Sequence, residues 1–399
     1  MIDITKSDPS IMTKPLRVGY LSSSNYLDRN VFSGTLYYMY KALERLDIEL
    51  VQLGKPKVLS SDWMERVKGK AVKEINKFFK HNKKEKSEDL NAFGDLVYRQ
   101  LEENPCDIIF APVCRNLISR LSLDIPVVSF SDATVCLLRE GYNTYTEPEK
   151  YNIAYREEKA MMENSAMVVY SSEWAANSAM HDFGLNSSRI RIIHLGANLD
   201  NIPEKSKIFD KLSIPQCQLL FVGKDWERKG GAIAYQTLLD LLAMGLDVNL
   251  TMVGSRPPTG HLQHPNLKII PFLNKNIPSQ QNKLANLFLS SHFLLFPTRS
   301  DCSPIVICEA NAHGVPVIST DVGGISSIIK PGKNGCLLPL SSQSHDFASA
   351  VVEIYREKDL YEKLVRDSRT EYEERLNWST WATKMHSVFL EVANKSSFE

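Results

Sequence analysis

The chain has 399 residues, 47 Lys and Arg against 47 Asp and Glu, 43% hydrophobic and 24% charged residues. This excludes a molecule-wide basic field for nucleic acid and excludes intrinsic disorder, and the length suits two domains. No apolar run approaches the roughly 18 residues of a membrane-spanning helix, and the polar start MIDITKSDPSIMTKP has no signal-peptide apolar stretch, so a cytoplasmic protein, soluble or peripherally attached, is expected.

Residues 16–22 (LRVGYLS) read as a first buried strand, followed by a loop with Ser33-Gly34, a helix over 35–46 and a second strand at 47–53. Positions 66–86 hold nine Lys or Arg with Val67, Val72, Ile75, Phe78 and Phe79 between them. That pattern fits a solvated helix with two Phe in the core, and also a face resting on an anionic membrane. A helix at 88–103, strands at 106–112 and 125–131, a helix at 149–164, a strand at 166–172, a helix at 173–183 and a strand at 190–196 complete a first βα series. Residues 198–216, polar and with two prolines, read as a linker. The alternation then restarts. Strands are expected at 219–224, 248–254, 267–273, 292–298, 315–321 and 336–340. Helices are expected at about 230–245, 279–290 and 304–313, with closing helices near 345–356, 358–374 and 378–394. The fold class is therefore α/β: two doubly wound, Rossmann-like domains facing a cleft, with ligands at the carboxyl ends of the strands. The seven cysteines are odd in number and include no C-x-x-C, which fits reduced, buried thiols. The nine histidines show no metal spacing, and Asp-x-Asp does not occur, so no metal site is expected. The tyrosines at 37, 38 and 40 read as helix packing.

The richest stretch is 298–324, TRSDCSPIVICEANAHGVPVISTDVGG. Ser303 is placed to cap a helix, Pro304 suits its first position, and Gly314 suits its end. A helix start at a strand's carboxyl end favours phosphate through its free N–H groups and dipole. Asp301 precedes that helix and Glu309 lies on it, eight positions on. Gly323-Gly324 permits close backbone approach to a ligand.

This stretch resembles the Glu-x7-Glu signature of retaining glycosyltransferases of family 4, with the GT-B fold. PT-x-S-D before it, KPGKNGCLLP after it and FVGKDWERKGG at 221–231 fit as well. VFSGTLYYMYKAL, YSSEWAANSAM and HLGANLD are similar to landmarks of the family's first half, and the resemblance covers about residues 16–390. It implies an acceptor-binding domain at 1–200, a nucleotide-sugar-binding domain at 201–376, and a helix at 377–399 crossing back to the first. It implies transfer of a hexose from a UDP- or GDP-sugar to a glycan or lipid-linked acceptor, with no cofactor beyond that donor substrate. By position, Glu309 would hold the donor ribose and Asp301, where the family usually has Glu, the transferred sugar. Lys229 and Lys224 would meet the diphosphate, joined by the amides of Ser303 and Ile305, since Pro304 has no N–H. Gly34 would let donor phosphate or acceptor approach. Asp132 stands about where many relatives have a His; it can orient the acceptor hydroxyl or take its proton, or simply cap the next helix. Arg115 suits an anionic group or the surface. Two other readings stay open: a nicotinamide dehydrogenase, against which no G-x-G-x-x-G follows a strand, and a glycosyltransferase-like binding subunit without activity.

Overall fold

The computed structural model describes residues 14–54, 85–142, 144–255, 257–258 and 262–396. The basic run 66–86, with its membrane reading, lies outside them apart from its last two positions, of whose side chains nothing is described. Among the described residues, β1 (Leu16–Leu21), β2 (Ile48–Leu53), β3 (Ile108–Pro112), β4 (Val127–Ser131), β5 (Met167–Tyr170) and β6 (Ile190–Ile192) form one parallel sheet in the order β2-β1-β3-β4-β5-β6. A second parallel sheet contains β7 (Cys217–Val222), β8 (Val248–Val253), β9 (Leu267–Ile270), β10 (Phe293–Phe296), β11 (Val317–Thr320) and β12 (Gly335–Leu338), in the order β12-β11-β10-β7-β8-β9. Near-continuous apolar runs such as MVVY and FLLF, buried at every position, require cover on both faces. The helices supply it: α1 (Thr35–Leu43), α2 (Glu85–Glu103), α3 (Arg115–Ile118), α4 (Val135–Tyr142), α5 (Pro148–Glu163) and α6 (Glu173–Phe183) on the first sheet, then α7 (Gly231–Ala243), α8 (Pro278–Ser290), α9 (Ile305–Ala312), α10 (Ser344–Arg356) and α11 (Lys358–Glu374) on the second.

The last helix, α12 (Trp378–Ser396), returns to the first domain, where Trp381, Met385 and Phe389, all fully buried, join the core around Tyr20 and Phe110. Two chain segments thus cross between the sheets side by side. Ala197 N–H donates to Leu376 O at 3.0 Å, and the Trp378 indole donates to Asn198 Oδ1 at 3.0 Å. A Cβ at Gly196 would lie 2.5 Å from Trp378 N, so only glycine permits this crossing.

Two readings need correction. The polar linker contains a 3-10 helix at Lys205–Ser213, because Ile208, Phe209 and Leu212 give it an apolar side that packs on the second core. Its Lys211 is buried, and the amine donates to the carbonyls of His313 at 2.9 Å and Gly314 at 3.0 Å. Ser303 does not cap α9. Pro304 is the N-cap, in extended geometry with φ −71° and ψ 108°, and the Ser303 hydroxyl instead meets Ser171 Oγ of the first domain at 2.7 Å.

Both sheets reverse their winding direction once, between β1 and β3 and between β7 and β10. Strand ends flanking such a switch point open a crevice, and the two crevices face each other.

Candidate active site

The loop after β7 is a tight turn. Asp225 Oδ1 accepts from the Arg228 N–H at 3.1 Å, and the Lys229 N–H donates to Asp225 O at 3.0 Å. Gly230 has φ 74°, and a Cβ there would meet Pro297 O at 2.0 Å, so the turn lies flat on the loop that follows β10. Arg299 N–H donates to Arg228 O at 2.7 Å and fixes the two loops together. As a result Lys229 forms an ion pair with Asp301. Arg228 Nη1 lies 3.6 Å from the same carboxylate and donates to Ser300 O at 2.8 Å, with its guanidinium 5.1 Å from the Tyr142 ring of the opposite domain. Burial pulls the Lys229 amine below the usual lysine range, opposed by the charge of Asp301. Lys224 stands nearer the mouth, 4.8 Å from the centroid of the exposed Phe272 ring.

Glu309 is buried on α9 and forms an ion pair with Lys275, from the loop between β9 and α8. Burial raises its carboxyl above the usual range, opposed by Lys275. Gly323 and Gly324 are also required by the fold: a Cβ on either would strike Asp301 O or Cys302 O at 1.9 and 2.0 Å. They let the β11 loop pack directly on the backbone that carries Asp301.

The first domain supplies the other wall. Phe32 (φ 48°), Ser33 (φ 57°) and Gly34 (φ 88°) are three consecutive left-handed residues, held by Asn198 Nδ2 donating to Ser33 O at 2.9 Å. Gly34 is buried behind this wall, and its neighbours Ser33 and Thr35 line the cavity in its place. Asp132 stands at the end of β4. Its carboxyl is pushed up to about 6 by burial, with the charge of Asp301 acting the same way. It is not the cap of α4, since the Leu137 N–H is met by Thr134 Oγ1 at 3.4 Å.

These walls enclose a cavity of about 340 Å³ that brings together Asp132, Lys224, Lys229, Asp301, Ser303, Ile305 and Glu309. Sequence reasoning missed Arg228, Lys275, Arg29 and Tyr142, which line it too. Arg228 was within reach, being one residue before Lys229 in a turn, whereas Lys275 carries no motif. A second cavity of about 440 Å³ in the first domain shares Phe32, Asp132, Tyr142 and Cys302 with the first and extends to Arg115, Tyr145 and Glu158. Among the described residues, no helix is long and apolar enough to cross a membrane.

Known structures match nearly the whole chain. Sucrose-phosphate synthase of Thermosynechococcus elongatus superposes with a TM-score of 0.66 over 95% of this chain and 99% of that one, at 16% identity. The fold is GT-B. Another GT-B neighbour, HepE of Anabaena solved with UDP and glucose, gives a TM-score of 0.62 at 14% identity and covers 94% of this chain and 99% of its own. Within the GT-B chain, residues 216–357 match the family model described as Glycosyl transferases group 1. The D-inositol 3-phosphate glycosyltransferase of Paenarthrobacter aurescens is 25% identical over 235 residues, which span 56% of this chain and 57% of that protein. Its counterpart in Corynebacterium glutamicum is 22% identical over 258 residues, 60% of each chain.

Proposed function

We propose that the protein is a retaining glycosyltransferase of the family 4 type that moves a hexose from a UDP- or GDP-sugar to a hydroxyl of a glycan or lipid-linked acceptor, in polysaccharide or glycolipid synthesis. One observation carries the reading: Lys224, Arg228 and Lys229 converge on one cavity with Asp301 and Glu309, inside the segment that matches the glycosyl transferase model. The name of the Paenarthrobacter relative points to the same class of reaction. In this reading the lysines and Arg228 hold the diphosphate, Glu309 the ribose and Asp301 the sugar. Fixed cations stabilise the charge that develops on the leaving group, so no metal is required. The acceptor oxygen bonds to the anomeric carbon as the bond to the diphosphate breaks on the same face. The bonding pair leaves with the nucleoside diphosphate, and the acceptor proton passes to that phosphate or to Asp132. The run 66–86 would bring the enzyme to a membrane bearing a lipid-linked acceptor. The inactive-subunit alternative is less favoured, because Asp132 and Asp301 both line the cavity that holds the cations.

The test is release of UDP or GDP from a panel of nucleotide sugars. Lys229→Ala and Glu309→Ala should each cut turnover at least tenfold with the fold intact, since a lost charge-assisted contact costs about 1.5–3 kcal/mol. Both variants turning over donor like the parent would overturn the assignment.

A further inference from the structure

The second cavity has a chemistry of its own at the end away from the donor site. Arg115 Nη2 donates to Tyr145 Oη at 2.8 Å. Its Nη1 is only loosely placed, 3.9 Å from Glu158 Oε2, and its buried Nε has no partner. The guanidinium therefore has fewer acceptors than its five donors can use. Glu158, buried on α5, gives its closer contact to the Val135 N–H at 2.7 Å. Its carboxyl is pushed up to about 7 by burial, against the pull of that N–H and of Arg115; Cys136 and Tyr170 also face it. Near neutral pH the acid thus offsets the Arg115 charge only in part.

Backbone strain points to the same place. Among the described residues, the non-glycine positions with positive φ are Phe32, Ser33, Val113 and Tyr145, and all four line one or both cavities. Val113 and Tyr145 belong to the second, which Arg115 also lines. Such strain persists where the surrounding structure over-determines it, and it concentrates at ligand sites.

We propose that this cavity is the acceptor subsite and that Arg115 seats a phosphate group of the acceptor, while the reacting hydroxyl lies at the seam beside Asp132. The proposal rests on the glycosyltransferase reading. A phosphate presents several oxygens at once, so it can accept from the guanidinium fork and from Tyr145 and Asn116, which line the cavity beside it. A cavity of about 440 Å³ takes one sugar-sized unit with its phosphate. That phosphate can belong to a free sugar phosphate or to the linkage of a lipid-borne sugar.

Calorimetry with the donor site saturated by UDP separates these cases. Glucose 6-phosphate should bind about tenfold or more tightly than glucose. Arg115→Gln should erase the difference and Arg115→Lys keep part of it, with UDP affinity unchanged in both. Glu158→Gln, which removes the competing negative charge at pH 8, should strengthen binding of the phosphate form. A glucosyl phosphate on a polyprenol in detergent forms the second arm; tighter Arg115-dependent binding there assigns the phosphate to a lipid linkage. Equal affinity for glucose and its phosphate in both arms, or a preference that survives Arg115→Gln, would overturn the proposal. Failure of UDP to bind the parent would instead strike the glycosyltransferase reading, and the Arg115-dependent difference would still be read from the titration without UDP.

Discussion

Asp132 sits where the two cavities meet, and its elevated pKa of about 6 has two consequences. A proton acceptor works only when ionised, so kcat/KM for transfer should fall as pH drops through about 6. Asp132→Asn should remove that limb and lower the rate by roughly 10²–10⁴; a parent profile flat between pH 5 and 8 would count against this role. The second consequence concerns stability. A carboxyl raised from 3.8 to about 6 stabilises the fold below the lower value and loses that contribution as pH rises through the upper one. Asp132→Asn should therefore melt higher than the parent at pH 7 and lose that advantage below pH 4. Position alone pointed to Asp132, because a residue just past a strand's carboxyl end faces the crevice. Asp301 and Glu309 stood out beside a helix start at a strand's carboxyl end, and their roles, like that of Lys229, came from the resemblance to the family's motif. Arg228 could have been reached as the neighbour of Lys229 in the same turn, but Lys275 could not, since a lysine in a loop carries no period and its partner is fixed only by the fold.

At the scale of elements, the loop 274–276 touches both sides of the cleft. Asn30 Nδ2 donates to Asn274 Oδ1 at 3.3 Å, the Arg29 N–H to Asn276 Oδ1 at 3.2 Å, and Asn276 Nδ2 to Asp28 Oδ1 at 2.9 Å. Between the two asparagines, Lys275 holds Glu309. The hold on Glu309, the carboxylate proposed to take the donor ribose, and the contacts with the opposite domain thus share three consecutive residues. Replacing Asn274 and Asn276 together by Ala removes bonds worth roughly 0.5–1.5 kcal/mol each. UDP affinity should change little, while the UDP-bound protein should scatter with a larger radius and hydrolyse more donor per transfer. An unchanged radius would show that the loop does not help hold the cleft shut. Most strands and helices were legible from apolar runs and caps, with ends moved by a few residues. The exceptions are instructive. The turn at Lys205–Ser213 was masked by its lysines, which surround three apolar residues. Ser303 looked like a cap by type, but a hydroxyl takes the partner that the fold brings nearest, here Ser171.

For the whole molecule, contacts across the cleft are numerous. Ile305 of the second domain packs into the first domain's core, and the Glu173 N–H donates to Ser327 Oγ at 3.2 Å. A ligand shifts such an arrangement only by binding one state more tightly than another. We expect UDP or GDP to raise the melting temperature, since saturation at a hundred times Kd adds about 2.7 kcal/mol. The scattering curve of the UDP-bound protein should be more compact than that of the free protein. Repetition in EDTA should change neither result; loss of binding there would overturn the metal-free mechanism.

The return of α12 to the first domain also bears on how the chain is made. Synthesis proceeds from the N-terminus, and domains generally fold as units in that order. Here the first domain emerges without Trp381, Met385 and Phe389, which fill its centre from α12, beyond the whole second domain in sequence. Until those last turns leave the ribosome, its apolar interior stays open to water and to other chains. The second domain draws its two cores from residues 197–376 and can close first. The nascent chain should accordingly need protection by a chaperone until residues 378–396 have emerged, and a stop codon just before Trp378 should leave a protein whose first domain aggregates while its second remains folded.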